Sequence, residues 1–429
     1  MMTVFETLKH GAWIEEKVQT AEKKIEPVLK KIGQNADFMQ WKVLEAFREM
    51  KVSEIHLHSS TGYGYDDLGR ETFEAVFARV FGAEKALVRP NIISGTHAIA
   101  ACLYGVLRPG DELIYLTGRP YDTLHQVIGS CKDGSGSLRD YGIEYREIPL
   151  AEGNRIDWAA FRQAVGPKTR MVAIQRSRGY ADRPSFSIRE IETMIRKIRE
   201  ICPQAVVFVD NCYGEFVESK EPTAVGADLV AGSLIKNPGG GIAKSGGYIA
   251  GAEKWVERAG SRLVAPGIGI EGGATHGYMH DYYQGLFLAP HVVAEALKGA
   301  VFAAAFLEEA GFQTTPGWEE PRTDIIQQVY LGTPELLVAF CQGIQSASPV
   351  DAHILPVPSL MPGYEDEVVM AAGTFVQGAS IELSADGPLR APYIAYMQGG
   401  LTYSHVKIGM AKAMDFMLET GQMHGKLQV

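Results

Sequence analysis

Short apolar runs alternate with amphipathic stretches from about residue 86 to residue 251. Residues 86–88, 112–116, 171–175, 206–210 and 229–231 are compact, mostly aliphatic runs and read as strands. Helical patterns fill the intervals at 97–107, 122–129, 158–165 and 188–201. Apolar strands separated by helices predict a mostly parallel sheet, covered on both faces, in an α/β domain. Open sheets of this kind collect ligands at the carboxyl ends of their strands, so chemistry is sought there.

The flanks read differently. In residues 36–50, Phe38, Trp41, Leu44 and Phe47 recur at three-residue steps, which predicts an amphipathic helix with Asn35 as its cap. Its apolar face is expected to pack on the main body or on a second subunit. A long helical pattern at 284–310 leaves the sheet region. After it come a strand at 325–330, a helix at 334–345, a hairpin built from 368–375 and 379–383, and a last helix at 403–419. The expected division is an N-terminal helical segment (1–50), a large sheet domain (51–285), and a connecting helix with a smaller α+β domain (286–429).

Composition narrows the function. The chain has 429 residues, 46% of them hydrophobic, and carries a net charge of −10 without a dense Lys/Arg cluster. Nucleic acid and anionic membranes are therefore poor partners. The most apolar stretch, 285–307, is interrupted by His291, Glu295 and Lys298, which suits a buried helix better than a membrane span. Residues 1–16 lack the apolar core of a secretory signal. The five cysteines are scattered and show no metal-type spacing, as expected of a reduced, cytoplasmic protein with no zinc site.

Against that background a few residues suggest chemistry. Asp210 ends the buried run Val-Val-Phe-Val-Asp. A carboxylate there is costly unless a cation or hydrogen-bond donors meet it. It is either a structural, capped aspartate or the partner of a protonated pyridine nitrogen, which would let a ring accept electrons from a carbanion. Lys236 follows 26 residues later in Gly-Ser-Leu-Ile-Lys-Asn-Pro-Gly-Gly-Gly. It is either a surface lysine on a turn or a Schiff-base lysine at a strand end, with Lys244 as the competing candidate. Ser94-Gly95-Thr96 opens a helix, where free N–H groups and hydroxyls suit a phosphate, although serine commonly caps helices without any ligand. Ser233 offers another hydroxyl three residues before Lys236, and Tyr121 offers a ring for stacking. In this order the residues point to pyridoxal 5′-phosphate (PLP). The run Gly-Gly-Gly-Ile-Ala-Lys-Ser-Gly (239–246) lacks P-loop spacing, with Ala243 where the motif needs glycine.

Several motifs carry a resemblance over nearly the whole chain. Ser-Thr-Gly-Tyr-Gly-Tyr-Asp-Asp-Leu-Gly-Arg-Glu (60–71), Arg-Pro-Tyr-Asp-Thr-Leu (119–124), Ile-Gln-Arg-Ser-Arg-Gly-Tyr (174–180), Val-Asp-Asn-Cys-Tyr-Gly-Glu-Phe (209–216) and Gly-Ser-Leu-Ile-Lys-Asn-Pro-Gly-Gly (232–240) resemble the bacterial aluminium resistance, or methionine γ-lyase-like, proteins. These are fold-type I PLP enzymes of the cystathionine/methionine-lyase branch. The resemblance implies the aspartate-aminotransferase-like fold, with a seven-stranded type of sheet in a three-layer large domain. It implies Lys236 as the PLP lysine and Asp210 as the pyridinium partner. Ser94, Gly95, Thr96 and Ser233 would lie at the phosphate, Tyr121 on the ring, and Gln175 and Ser177 beside the cofactor. Tyr63, Tyr65 or Arg70 would reach the phosphate of a neighbouring subunit, making a homodimer or homotetramer with shared sites. The sequence departs from the better-known lyases at Ile235, where they carry a hydroxyl residue, and at Arg176-Ser177-Arg178-Gly179, where they carry Asn-Pro.

The expected reaction is elimination from a sulfur amino acid to a thiol, ammonia and a 2-oxo acid. Lys236 would remove the Cα proton, and Tyr121 is a candidate to protonate the leaving group. A substrate carboxylate suits a bidentate arginine. Arg390, in Gly-Pro-Leu-Arg-Ala-Pro-Tyr, is the first candidate and Arg178 the reserve. The rival readings are another PLP reaction, namely transamination, racemisation or aldol cleavage, and a non-catalytic PLP-binding protein.

Overall fold

The buried apolar runs pair edge to edge. In a computed structural model that describes residues 3–130, 136–361 and 366–423, the first element is a long helix, α1 (Gly11–Glu49). It is followed by α2 (Leu68–Phe81), β1 (Lys85–Arg89), α3 (Gly95–Val106), β2 (Glu112–Tyr115), α4 (Leu124–Ile128), β3 (Glu144–Glu147), α5 (Trp158–Ala164), β4 (Thr169–Gln175), α6 (Ile188–Ile201), β5 (Val206–Asp210), β6 (Leu229–Ser233), β7 (Gly247–Gly251) and α7 (Glu253–Leu263). The seven strands form one sheet in the order β1-β7-β6-β5-β4-β2-β3. Strands β6, β5, β4, β2 and β3 run parallel, and β7 is antiparallel to both its neighbours. Burial on both faces explains why these strands read as continuous apolar runs. Strands β3 and β7 escape that signature, because Glu-Tyr-Arg-Glu is charged and Gly-Tyr-Ile-Ala-Gly is short and bounded by glycines.

A close approach of α3 to α7 fixes one covering layer. A Cβ at Gly105 would lie 2.8 Å from the Ala259 Cα, so only glycine permits this packing. Leu87, Leu103, Phe208 and Val256 belong to the core beneath.

The remaining elements are α8 (Met279–Glu309), β8 (Gln313–Thr315), β9 (Ile326–Tyr330), α9 (Pro334–Ser346), β10 (Val368–Ala371), β11 (Ser384–Pro388), β12 (Ile394–Gln398) and α10 (Tyr403–Glu419). Their five strands form an antiparallel sheet in the order β10-β11-β12-β9-β8. Two compact units result, Met39–Phe287 and Met1–Phe38 with Leu288–Val429. In the second unit Ile14, Val18, Ala21 and Ile25, one per helical turn, share a core with Phe302, Phe306 and Met410. Helix α8 is long and apolar enough to cross a membrane, yet 72% of its most apolar window is buried within the protein.

Two local expectations are corrected. Asn35 is not a helix cap: it lies inside α1, which begins 24 residues earlier at Gly11 and runs through Pro27. The charged density of residues 15–31 hides the turn-by-turn apolar positions there. The stripe of Phe38, Trp41 and Leu44 is exposed, while Met39, Val43 and Ala46 face inward. The partner of β10 is β11 rather than 379–383, with Val368 opposite Pro388. Strand β11, Ser-Ala-Asp-Gly-Pro, is polar and small, so β-propensity pointed to the more apolar Ala-Ser-Ile-Glu-Leu just before it. Cys102, Cys202, Cys212 and Cys341 are free and buried, and Cys131 lies outside the described residues.

Candidate active site

Sheet register brings the site residues together. Gln175 at the end of β4 stands opposite Asp210 at the end of β5, and Asp210 stands opposite Ala231 on β6. Two residues beyond Ala231 comes Ser233, and the turn after β6 carries Lys236. These strand ends open into a cleft of about 210 Å³ in the sheet unit. Its lining includes Ser94, Gly95, Thr96, Tyr121, Gln175, Ser177, Asp210, Ser233 and Lys236.

Each side chain is held for a local reason. Ser94 caps α3, its Oγ accepting the His97 N–H at 3.1 Å, so its own hydroxyl proton remains free to donate. The first turn of α3 therefore presents Gly95 and Thr96 to the cleft with the positive end of the helix dipole behind them. Thr96 shares a hydroxyl–hydroxyl contact of 3.0 Å with Thr123. A Cβ at Gly95 would come within 3.3 Å of the Cys212 Sγ and 3.6 Å of the Ser233 Cβ, so glycine keeps a narrow space open between α3 and β6. Gln175 fixes the Tyr121 loop: its Oε1 accepts the Tyr121 N–H at 2.7 Å and its Nε2 donates to the Ser177 carbonyl at 2.9 Å.

Asp210 is buried and accepts the Cys212 N–H at 3.2 Å. Among the described residues no cation lies within ion-pair distance of it. Burial pushes its carboxyl above the usual range, against the pull of the Lys236 charge and the Cys212 hydrogen bonds. Lys236 places its Nζ 3.9 Å from the centre of the Tyr213 ring. Burial acts to lower its ammonium, but the acidic groups of Cys212, Tyr213, Asp210 and Glu215 outweigh that and hold it above the ordinary lysine value. Lys244 is exposed and ion-paired to Asp281 at 2.9 Å, outside the cleft.

Two expected ligands of the sheet unit lie outside the cleft lining. Arg178 is buried, donates from its backbone N–H to Ser185 at 3.1 Å, and does not line the cleft. Arg70 is buried in its own chain, its guanidinium donating to the carbonyls of Gly64, Gly273 and Glu271. A group so engaged is a loop clamp. Arg390, in the other unit, is exposed and ion-paired to Asp366 at 2.8 Å. Tyr63 and Tyr65 are exposed and stack at 5.6 Å. Cys212 and Tyr213 line the cleft although sequence reasoning singled out neither. The available hint was their place directly after a strand-end carboxylate, where the chain must turn across the site.

A sequence model of methionine gamma-lyase matches residues 14–418. The chain belongs to the methionine gamma-lyase family. As a member it is a carbon–sulfur lyase of the cystathionine/methionine type. Within that family it is 55% identical over 417 residues to the uncharacterized protein YnbB of Bacillus subtilis strain 168, covering 97% of this chain and 99% of that one. A Listeria monocytogenes crystal structure, provisionally named a cystathionine beta-lyase involved in aluminum resistance, is 57% identical, with a TM-score of 0.92 over 93% of this chain and 99% of that chain. At 15% identity, the pyridoxal-5′-phosphate-dependent protein YhfS of Escherichia coli shares the fold alone, with a TM-score of 0.57 over 89% of this chain and 96% of that chain. The architecture is that of fold-type I PLP-dependent enzymes.

Proposed function

We propose that this methionine gamma-lyase family member binds PLP through Lys236 and eliminates a thiol from a sulfur-containing amino acid, releasing ammonia and a 2-oxo acid. The observation that carries the reading is one cleft holding Lys236, an Asp210 carboxylate with no cation within ion-pair distance among the described residues, and the N-terminus of α3. The space kept open by Gly95 beside Ser233 suits a phosphate, and Asp210 suits a ring N–H⁺. Bound there, the cofactor supplies an electron-accepting ring for charge developing at the substrate Cα.

The protein's own groups have defined tasks in this reading. The N–H groups of α3, with the hydroxyls of Ser94, Thr96 and Ser233, bind the phosphate. Asp210 holds the ring nitrogen protonated, Gln175 and Ser177 border the ring, and Tyr121 stacks on it. Lys236 Nζ removes the Cα proton, and Tyr121 is the candidate to protonate the departing sulfur. Arg390 is the candidate for the substrate carboxylate. The exposed Tyr63–Tyr65 pair is offered to the phosphate of a neighbouring subunit, which makes assembly part of the site. Arg70 is dropped from that role because its guanidinium is buried, with both terminal nitrogens bonded to carbonyls of its own chain.

The test is the visible absorption of the purified protein with PLP, before and after L-methionine, L-cystathionine or L-cysteine, beside Lys236→Ala. A band that changes with one amino acid and is missing from the variant is expected, with 2-oxo acid and ammonia formed in equal amounts. An undiminished band in the variant refutes the Lys236 assignment. Formation of a new amino acid in place of ammonia refutes the elimination.

A further inference from the structure

Beneath Lys236 lies a layer of buried polar side chains that the proposed reaction leaves unused. After β5 the chain turns sharply, and Tyr213 and Phe216 both take left-handed backbone, with φ of 73° and 64°. Such a conformation costs a bulky residue on the order of 1–3 kcal/mol and persists only where the surroundings impose it. Here the surroundings are visible. Asn237, the residue after Lys236, donates from Nδ2 to the carbonyls of Tyr213 at 3.0 Å and Glu215 at 2.9 Å. Glu221 accepts the Phe216 N–H at 2.9 Å. The ring of Tyr213, aimed by this turn, is the surface against which the Lys236 ammonium rests.

Between the two strained residues sits Glu215, with no solvent exposure. Its Oε1 accepts the Tyr248 hydroxyl at 2.6 Å, and its Oε2 has no donor. A buried carboxylate oxygen without a donor is expensive, whereas a carboxylic acid carries its own proton there. Burial pushes this carboxyl up to about 8, while the Tyr248 hydrogen bond and the Lys236 charge pull the other way and Glu221 adds to the rise.

We propose that Glu215 is a positioning residue for Lys236: neutral, it leaves the lysine at the cleft beside the turn that Asn237 braces, and ionised, it draws the lysine ammonium away as a counter-ion. The proposal rests on Lys236 being the cofactor lysine. Other groups around this pair are less suited to the role. Asp210 lies at the ring position. Cys212 and Tyr248 are held far from ionising by burial. Glu221 is met by Arg176 at 3.6 Å and by the Asn211 amide at 2.9 Å, and Lys42 from α1 also acts on it. Arg176 bonds Glu218 at 2.8 Å, and Arg183 is bonded to the carbonyls of Pro184, Gln175 and Ser177. No proton passes between Glu215 and the substrate in this scheme. Loss of the Glu215 proton to solvent changes only where Lys236 points.

The test uses the full chain without cofactor and an amine-specific acylating reagent, with labelling of the Lys236 peptide followed by mass spectrometry across pH. A free lysine below its pKa labels roughly tenfold faster for each unit of pH. In the wild type that rise should stall above about pH 8, where Glu215 ionises. In Glu215→Gln, which keeps the shape and cannot ionise, it should continue, giving roughly tenfold more labelling one pH unit higher. Tyr248→Phe, which removes a hydrogen bond that favours the ionised carboxyl, should move the stall to higher pH without abolishing it. Identical profiles for wild type and Glu215→Gln, or a stall unmoved in Tyr248→Phe, overturn the proposal. A stall in a protein that forms no visible band with PLP leaves the Glu215–Lys236 coupling standing and removes the cofactor reading instead.

Discussion

The Glu215 carboxyl also makes a thermodynamic prediction that needs no cofactor. In the unfolded chain it titrates near 4.5, and in the folded protein at about 8. A raised acid adds stability that is fully present below the unfolded value and is lost as pH rises through the folded one. At 1.36 kcal/mol for each tenfold step, the span from 4.5 to about 8 sets a ceiling of about 5 kcal/mol on that loss. Asp210 and Glu221 are also raised and change stability in the same direction, but both remain in Glu215→Gln and largely cancel in the difference. Glutamine brings a buried NH₂ where the structure offers no partner for Oε2, at about 1–3 kcal/mol. Glu215→Gln should therefore be the less stable protein near pH 5 and the more stable one near pH 9 (both approximate, from the linkage above). Urea unfolding of the two cofactor-free proteins across that range, followed by circular dichroism, measures the difference; comparing transition midpoints is sound even where two units make unfolding multistate. A wild-type-minus-variant difference that stays flat with pH would show that Glu215 is ionised throughout and would refute the reasoning.

Three other perturbations separate the parts of the reading. Gly95→Val should fill the space beside Cys212 and Ser233 and weaken PLP uptake, by about fivefold or more if it costs the 1–3 kcal/mol of an overpacked site, with folding retained; unchanged uptake in equilibrium dialysis contradicts the phosphate placement. Arg390→Ala should raise KM for the amino acid far more than it lowers kcat, and should leave thermal stability nearly unchanged, since exposed ion pairs such as Arg390–Asp366 contribute about 0–1 kcal/mol. Gly343→Ala should destabilise the C-terminal unit by about 1–3 kcal/mol, because its Cβ would clash with the Ala413 backbone where α9 meets α10; a thermal midpoint equal to wild type refutes that packing.

What could be read from the sequence was set by burial. Strand β5 and helix α6 fall where their patterns place them, because the first is an unbroken apolar run and the second a strong helical period. The site candidates Asp210, Ser233 and Lys236 were accessible for the same reason: a polar residue at the end of a buried run needs an explanation, and a parallel sheet places such ends together. The arginines were not legible in this way. Arg70 and Arg178 look like anion ligands in one dimension, yet each is buried against protein partners. Sequence shows that a cation is present and says nothing of which carbonyl or carboxylate reaches it first. Glu215 was equally silent, because its significance lies in an oxygen without a donor.

Helix α1 shows how periodicity can name an element and still mistake its face. Around residues 38–47 two apolar stripes run side by side: Met39, Val43 and Ala46, which are buried, and Phe38, Trp41 and Leu44, which are not. Both satisfy a helical period, so pattern alone predicts a helix without saying which side meets the core. The larger side chains drew the expectation, and the smaller ones line the buried face. In the sheet unit Trp41 is left 57% exposed and Tyr63 77% exposed. Isolated exposed apolar residues need no explanation, but aromatic ones concentrate at subunit interfaces. The shared active site proposed above would cover the Tyr63–Tyr65 pair with a second subunit. On that reading the exposed part of the stripe, expected to pack on the main body or on a second subunit, is available to an assembly, while Phe47 at its end packs edge-on against Tyr283 at 5.8 Å.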